Sequence, residues 1–423
     1  MKNNQNNLLS IIDTLYTILD KNTFIKNIQR NVHFYDEPLY YSYAAQLVDK
    51  IKLLTNQGYI SDCGSFVVGG LSLVSKENAL VRCLGEAAER SCLYSYLPKE
   101  IQKISLSKPY NNMIDVRTFP NTIQNESIGV VQAKQINTNA TRLVPAQLIY
   151  LNYNKHSHEE LLDCPVSSGA AFGTNHLKTM LTGIYEVIER DAIMLSYLTQ
   201  RTKYRIHIKS IPFLNIYEIN KKLSQYHLKW YLFDVQNTLS IPTYLSVLVD
   251  KTGGGPAITV GSKTGFDAEQ CMLGSVEEAL MTRAWGRQLR VDSILHILHP
   301  IKEVAIREDH LSYWYDTKKI KKLSWLLKLP EKPFIENVAF KNIEAEFDAV
   351  MNICLSCGFE VFSVDIASKV LKNAGYFVYK ILIPGLQSLY FNESTKDMFI
   401  NKNRVYSVNG KMSTINSIPH PFL

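Results

Sequence analysis

The apolar positions of this chain change period along its length, and the changes mark out its elements. Residues 8–55 open with Leu8, Ile11, Ile12, Leu15, Ile18 and Leu19, spaced as one buried helix stripe is spaced. A helical lead-in is therefore expected there. From about Asp62 short apolar runs take over: Phe66-Val-Val-Gly-Gly, Ile128-Gly-Val-Val-Gln, Leu143-Val-Pro-Ala, Lys229-Trp-Tyr-Leu-Phe-Asp and Thr243-Tyr-Leu-Ser-Val-Leu-Val-Asp. These runs are rich in β-branched and aromatic residues and predict strands. Longer stretches of helical period lie between them, near 79–96, 175–198, 213–226, 267–296 and 341–357. Strands interleaved with helices predict an α/β or mixed α+β fold. No Gly/Ser-rich or Pro-rich linker divides the chain. The expected organisation is a lead-in at 1–60 and one intertwined unit at 61–423.

Composition narrows the function. The chain has 423 residues, 46% hydrophobic and 20% charged, which suits a globular protein with two or three subdomain cores. Its polar start, Met1-Lys-Asn-Asn-Gln-Asn-Asn, and the acids Asp13 and Asp20 fit neither a signal peptide nor a membrane span. A net charge of +7 is spread thinly, and the densest run, Lys318-Lys319-Ile320-Lys321-Lys322, reads as a solvated face or loop. Nucleic acid is not expected; small anionic substrates are. Seven cysteines (Cys63, Cys83, Cys92, Cys164, Cys271, Cys354, Cys357) are odd in number and scattered, as reduced intracellular thiols are. A cytoplasmic protein is expected. Cys354-Leu-Ser-Cys357 falls in a helix-like stretch without a second pair, so no metal or redox role is assigned to it.

The chemistry lies in a repeat. Glu86-Ala-Ala-Glu89-Arg90 and Glu186-Val-Ile-Glu189-Arg190 both sit in helix-compatible runs. Residues i and i+3 share a helix face, so each run presents two carboxylates side by side. One copy alone reads as a solvated face with Glu–Arg pairing. If the two helices meet, four carboxylates converge, and hard cations such as Mg²⁺ take oxygen ligands of this kind, usually shared with nucleotide phosphates. The second helix is entered through Ser167-Ser168-Gly169-Ala-Ala-Phe-Gly173-Thr174-Asn175, whose small residues leave backbone N–H groups free for an anion. This is not a Walker loop, since Gly-x-x-x-x-Gly-Lys-Ser/Thr is absent. A third segment, Gly261 to Arg283, offers Asp267 as a helix cap, then Glu278 and Arg283. An arginine at such a site would neutralise phosphate oxygens by paired hydrogen bonds, whereas alone it would be a surface arginine.

In this order the motifs resemble the YcaO family. The residues concerned are Gly85-Glu86 to Arg90, Ser167 to Gly173 with Glu186 to Asp191, and Gly265-Phe-Asp267 with Glu278-Ala and Arg283. Ile383-Pro-Gly-Leu-Gln-Ser-Leu-Tyr-Phe391 resembles the family's late strand-turn. The ending Pro419-His-Pro-Phe-Leu423 is similar to the proline-rich terminus of its azoline-forming members. The likeness spans roughly residues 60–423 and looks strongest to the SagD-like maturases of thiazole/oxazole-modified peptides. It implies a YcaO-type fold and ATP-dependent cyclodehydration of a ribosomally made precursor peptide. A Cys thiol or Ser/Thr hydroxyl would attack the preceding amide, whose oxygen takes the γ-phosphoryl group of ATP and leaves as phosphate.

The resemblance further implies that Glu86, Glu89, Glu186 and Glu189 hold Mg²⁺. Arg90, Ser168, Thr174, Lys178, Arg190, Glu278 and Arg283 would complete the nucleotide site. Two prolines stiffen the tail, so His420 or the carboxylate of Leu423 is expected near the chemistry. Implied partners are the precursor peptide, a separate leader-binding protein resembling ubiquitin-activating enzymes, a flavin-dependent azoline dehydrogenase and a second copy of the chain. Departures from the family pattern are Lys178 in place of a carboxylate, Arg82, Met281, Thr174 and Leu423. Lys178, just over two turns ahead of Glu186, is expected to reach the phosphates in place of a metal ion. Two alternatives stay open: a thioamide- or amidine-forming member of the family, and a non-catalytic scaffold subunit of a maturase complex.

Overall fold

Helix α1 (Lys2–Lys21) buries Ile12, Leu15 and Leu19, the stripe that its period announces. The structure is a computed structural model that describes residues 2–21, 24–48, 67–96, 100–106, 112–120, 127–151, 153, 159, 161–235, 238–292, 303–336, 340–409 and 415–423. Among these the lead-in is not helical throughout. Ile25–Arg30 (β1) and Tyr41–Leu47 (β2) are strands that pair antiparallel, and β2 carries β3 (Val67–Ser72) on its other side. Leu15, Leu19, Ile25 and Leu47 enter one core with Leu84 and Ala87 of α2 (Lys76–Leu93). The lead-in thus builds a wall behind the first glutamate pair. Gly70 lets β3 lie directly on α2; a Cβ there would meet the Ala79 carbonyl oxygen at 2.2 Å.

In chain order there follow β4 (Gln102–Ser105), β5 (Ser127–Gln135), β6 (Thr141–Pro145), β7 (Ala170–Gly173), α3 (His176–Thr199), β8 (Arg205–Ile206), α4 (Leu214–Gln225), β9 (Leu228–Asp234), β10 (Thr243–Asp250) and β11 (Ile258–Thr264). Then come α5 (Ala268–Asp292), α6 (Arg307–Tyr313), α7 (Ser324–Leu327), β12 (Glu331–Lys332), α8 (Ile343–Ser356), β13 (Phe362–Asp365), α9 (Lys369–Asn373), β14 (Phe377–Leu382) and α10 (Lys402–Asn409). Strands β4-β5-β13-β14-β7 form a second sheet with β6 on β5, and β11-β10-β9-β8-β12 form a third. The fold is mixed α/β, as expected.

Helix α3 is the central element. Asn175 caps it, accepting from the Lys178 N–H, and it runs buried through most of its length to a left-handed Gln200. It lies on β14 through Gly183, where a Cβ would come within 2.6 Å of Ile381. The Lys318–Lys322 run forms a 3₁₀ turn with Lys318, Lys321 and Lys322 exposed. Cys354 is buried on α8 and Cys357 is exposed at its C-cap, and both are free thiols; Cys63 falls outside the described residues. No helix among the described residues is long and apolar enough to cross a membrane.

Candidate functional site

The two Glu-x-x-Glu-Arg runs, on α2 and α3, line one cleft of about 1470 Å³, together with β11 and α5. The reason begins at two sheet edges. Strands β3 and β11 each end a sheet, so their outer N–H groups have no neighbouring strand to accept from them. Carboxylates take that place. Gly69 N–H donates to Glu86 (3.0 Å), Ser262 N–H to Glu278 (2.7 Å) and Thr264 N–H to Glu189 (2.9 Å). The Ser262 hydroxyl adds a second bond to Glu189 (2.9 Å), so both oxygens of that buried carboxylate are engaged. Glu277 accepts from the Leu73 N–H (2.7 Å) and from Arg82 (2.5 Å), tying α5 to β3 and α2. Glu89 and Glu186, by contrast, accept no hydrogen bond from any described residue, although both line the cleft.

Charge is concentrated here. Arg90 lies 3.6 Å from Glu86, and Arg190 lies 3.9 Å from both Glu186 and Glu278. Beneath them Lys380, 1% exposed, donates to the carbonyls of Val166 (2.8 Å) and Ser168 (2.7 Å) and so holds the turn through Gly169, whose φ is +84°. Burial pushes Glu89 up to about 8, with Glu186 and Glu86 adding to the rise against Arg90. Burial likewise pushes Glu278 up to about 7 against Arg190, and it raises Glu186 with help from Glu189. Burial thus favours the protonated form of each group, against which an arriving cation would compete.

Among the described residues, no three of these glutamates bring carboxylate oxygens within 4.8 Å of one another; the one trio of possible ligands that close is His310, Glu393 and His420. The cluster is therefore not the closed cage that four converging carboxylates would make. A divalent ion held by one or two of them must complete its shell with water and phosphate oxygens, which is how Mg²⁺ is usually bound. Two carboxylates without donors, flanking arginines and room for a triphosphate fit a magnesium–nucleotide.

A pH dependence follows. Glu89, raised from 4.5 to about 8, binds its proton more tightly folded than unfolded. Its contribution to stability is present below about pH 4.5 and is lost as pH rises toward about 8. Melting temperature without nucleotide or Mg²⁺ should fall across that window, and Glu89→Gln should flatten the fall. An equal slope in the variant would remove Glu89 as its cause.

Ser168, Thr174, Arg90 and Arg190 also line the cleft. Lys178 does not: it is exposed on the first turn of α3, and the helix reaches the cleft only from Thr182 onward. Arg283 is a second correction. Five residues on from Glu278 it is turned about 140° around α5, and it is 4% exposed. Its guanidinium donates to Glu37 (2.8 and 3.0 Å), Asp250 (2.8 Å) and the Pro256 carbonyl (3.2 Å), lying against Gly255.

His420 is a third correction. It is fully buried, stacked on His310 at 4.2 Å, with Nε2 donating to the Tyr390 carbonyl (2.6 Å). Burial and the neighbouring His310 hold it far below the usual imidazole range, so it stays neutral and away from the cleft. It anchors the tail. The Pro419 carbonyl accepts from Tyr197 (3.0 Å) and Trp314 (3.1 Å), and Phe422 packs on Tyr197, which brings Leu423 to the cleft wall. Removing Pro419–Leu423 empties a core site, so a loss of at least about 3 kcal/mol is expected in denaturant unfolding; unchanged stability would contradict this packing.

Three residues escaped the sequence reading. Lys263 and Lys380 look like ordinary strand lysines, and Glu277 was passed over for its neighbour Glu278; only the meeting of distant elements distinguishes them.

Comparison with known proteins places the chain by family and by fold. The family model described as YcaO cyclodehydratase, ATP- and Mg²⁺-binding, matches residues 73–387. Among solved structures the chain is similar to a heterocyclase in complex with substrate and cofactor, with a TM-score of 0.72 at 17% identity. That match covers 94% of this chain but 55% of the heterocyclase, so the chain spans about half of that protein. It is also similar to YcaO from Methanopyrus kandleri, bound with AMPPCP and Mg²⁺ (TM-score 0.64, 13% identity, 89% of this chain and 90% of that one). A third likeness is to the microcin synthetase McbBCD complex of E. coli (TM-score 0.61, 12% identity, 93% and 96%). At such identities the likeness is one of fold.

Proposed function

The chain belongs to the YcaO family, whose cofactors are ATP and Mg²⁺, and on that premise we propose that it is the cyclodehydratase of a peptide maturation pathway. Its substrates would be Cys, Ser or Thr residues of a ribosomally made precursor, which it closes to thiazolines or oxazolines. One observation carries the reading: Glu86, Glu89, Glu186 and Glu278, from three helices, line a single cleft with Arg90 and Arg190 at their backs.

In this reading Glu86, Glu89 and Glu186 hold the Mg²⁺ ions and Glu278 joins them on the nucleotide. Glu189, with both oxygens engaged by β11, acts as the strut that sets α3 against that strand. Arg90, Arg190, Ser168 and Thr174 face the phosphates. Bound there, the magnesium–nucleotide supplies the phosphoryl group that turns the amide oxygen into a leaving group. The chain's part is to position the peptide amide and neutralise charge, which accounts for most of the catalysis in phosphoryl transfer. The bonds balance: the nucleophile's S–C or O–C bond forms as its S–H or O–H proton leaves, the amide oxygen takes the γ-phosphoryl group as the β–γ bond breaks and ADP departs, and loss of phosphate with the amide N–H proton closes the ring with a C=N bond.

The side of the cleft formed by Trp285, Leu389, Phe391 and Leu423 would receive the peptide. A separate leader-binding protein would complete the machinery, a reading supported by the likeness to the McbBCD complex. A flavin-dependent azoline dehydrogenase and a second copy of the chain complete the proposed assembly, in the cytoplasm, where ATP and reduced thiols coexist. The test incubates purified chain, pathway partner and precursor with ATP and Mg²⁺ and reads peptide mass. Loss of one water per modified residue, matched by released phosphate, is expected. Exchange of oxygen for sulfur would assign the thioamide chemistry, and no ATP-dependent change would leave a scaffold.

A further inference from the structure

Two basic side chains that line the cleft, Arg30 and Lys263, have no role so far, and of these Lys263 lies beside the glutamates. Lys263 lies in β11 between Ser262 and Thr264, the two residues that hold Glu189 and Glu278, and strand alternation turns its side chain to the opposite face. Its stem lies over Gly274 of α5, where a Cβ would stand 3.4 Å from Cγ and 3.5 Å from Cδ, so a larger residue there would crowd it. Its side chain lines the cleft. Burial works against its charge, but Glu189, Glu278 and Glu186 outweigh burial and raise its pKa. The side chain nonetheless keeps solvent exposure, and among the described residues no carboxylate comes within ion-pair distance of its ammonium.

The other cations differ. Arg90 and Arg190 lie against their own glutamates, and Arg82 is held by Glu277 and the Leu71 carbonyl. Arg307 stacks on Trp285 and Phe391. Lys380 is buried under the Ser167–Gly169 turn, and Arg283 is enclosed by Glu37 and Asp250. A cluster of carboxylates repels a triphosphate, and an exposed ammonium at its rim offsets that as a point charge on phosphate oxygen.

We propose that Lys263 contacts the substrate directly, its ammonium taking an oxygen of the phosphoryl group that is transferred. The role expected of Lys178 and Arg283 is thereby filled by a strand rather than a helix. This rests on the nucleotide reading of the cleft. The experiment measures by calorimetry the affinity of the full chain for AMPPCP and for ADP, each with Mg²⁺, in wild type, Lys263→Met and Lys263→Arg. Melting without nucleotide confirms folding, and Lys263→Gln replaces the Met variant if that one fails to melt cooperatively.

A charge-assisted hydrogen bond predicts that Lys263→Met weakens AMPPCP by at least about tenfold, with ADP changed by less than about threefold. Lys263→Arg should retain most of the affinity. Equal losses for both nucleotides, or no loss for either, would overturn the inference and leave the nucleotide site standing. A wild-type chain that binds neither nucleotide would overturn both.

Discussion

Glu186→Gln and Glu89→Gln are each expected to lower ATP-dependent phosphate release by on the order of a hundredfold or more, with the fold intact. Both carboxylates line the cleft without a hydrogen-bond donor among the described residues, so the amide breaks no internal hydrogen bond. What disappears is the negative charge that holds the cation. Because burial makes the charged form of Glu89 costly, the Gln variant should be more stable than wild type near pH 8, where that carboxyl is half ionised. Loss of function together with gain of stability is the signature of a site held in an unfavourable state for binding. Glu189→Gln should behave differently. Its carboxylate accepts from both the Ser262 hydroxyl and the Thr264 N–H, and an amide would set its NH₂ against one of those donors. That variant should lose stability as well as activity. Phosphate release and thermal melting across the three variants separate the roles; full turnover in Glu186→Gln or Glu89→Gln would count against the assignment.

The second large effect is structural. Arg283→Met should destabilise the protein by about 3–5 kcal/mol, because it leaves Glu37 and Asp250 buried without their partner. Both acids are 1% exposed, and Arg287 reaches Glu37 but makes no bond to Asp250. Nucleotide affinity of the folded fraction should hardly change, since the guanidinium does not line the cleft. Denaturant unfolding and nucleotide titration of the same variant decide the matter. A stable variant that has lost nucleotide affinity would return Arg283 to the phosphates.

These cases show how far the chain can be read before its folding is known. Periodicity located the long helices closely: 175–198 was expected for α3, which spans His176–Thr199, and the paired glutamates followed directly from that period. Residues 25–47 misled, because Ile25 and Ile28 are three apart and Tyr41-Ser-Tyr-Ala-Ala-Gln-Leu mixes both periods. Their strand identity comes from pairing with each other and, for β2, with β3, a tertiary effect. Arg283 and His420 were misplaced for the same reason. Each looked like a free polar group, and each is satisfied by residues remote in the chain: Glu37 and Asp250 for one, His310 and the Tyr390 carbonyl for the other. Lys178 shows the limit of helical phase alone, since the phase was right for the stripe but α3 starts outside the cleft. Lys263 is the converse case, a strand lysine given meaning only by the glutamates that α3 and α5 bring to it.

The most direct measurement of the central claim is a crystal structure of this chain with AMPPCP and Mg²⁺. The triphosphate is expected in the cleft between α2, α3 and α5, with Mg²⁺ beside the carboxylates of Glu86, Glu89 or Glu186 and the ammonium of Lys263 on the terminal phosphate. A nucleotide bound elsewhere on the molecule, or a cleft left empty at saturating nucleotide, would contradict it.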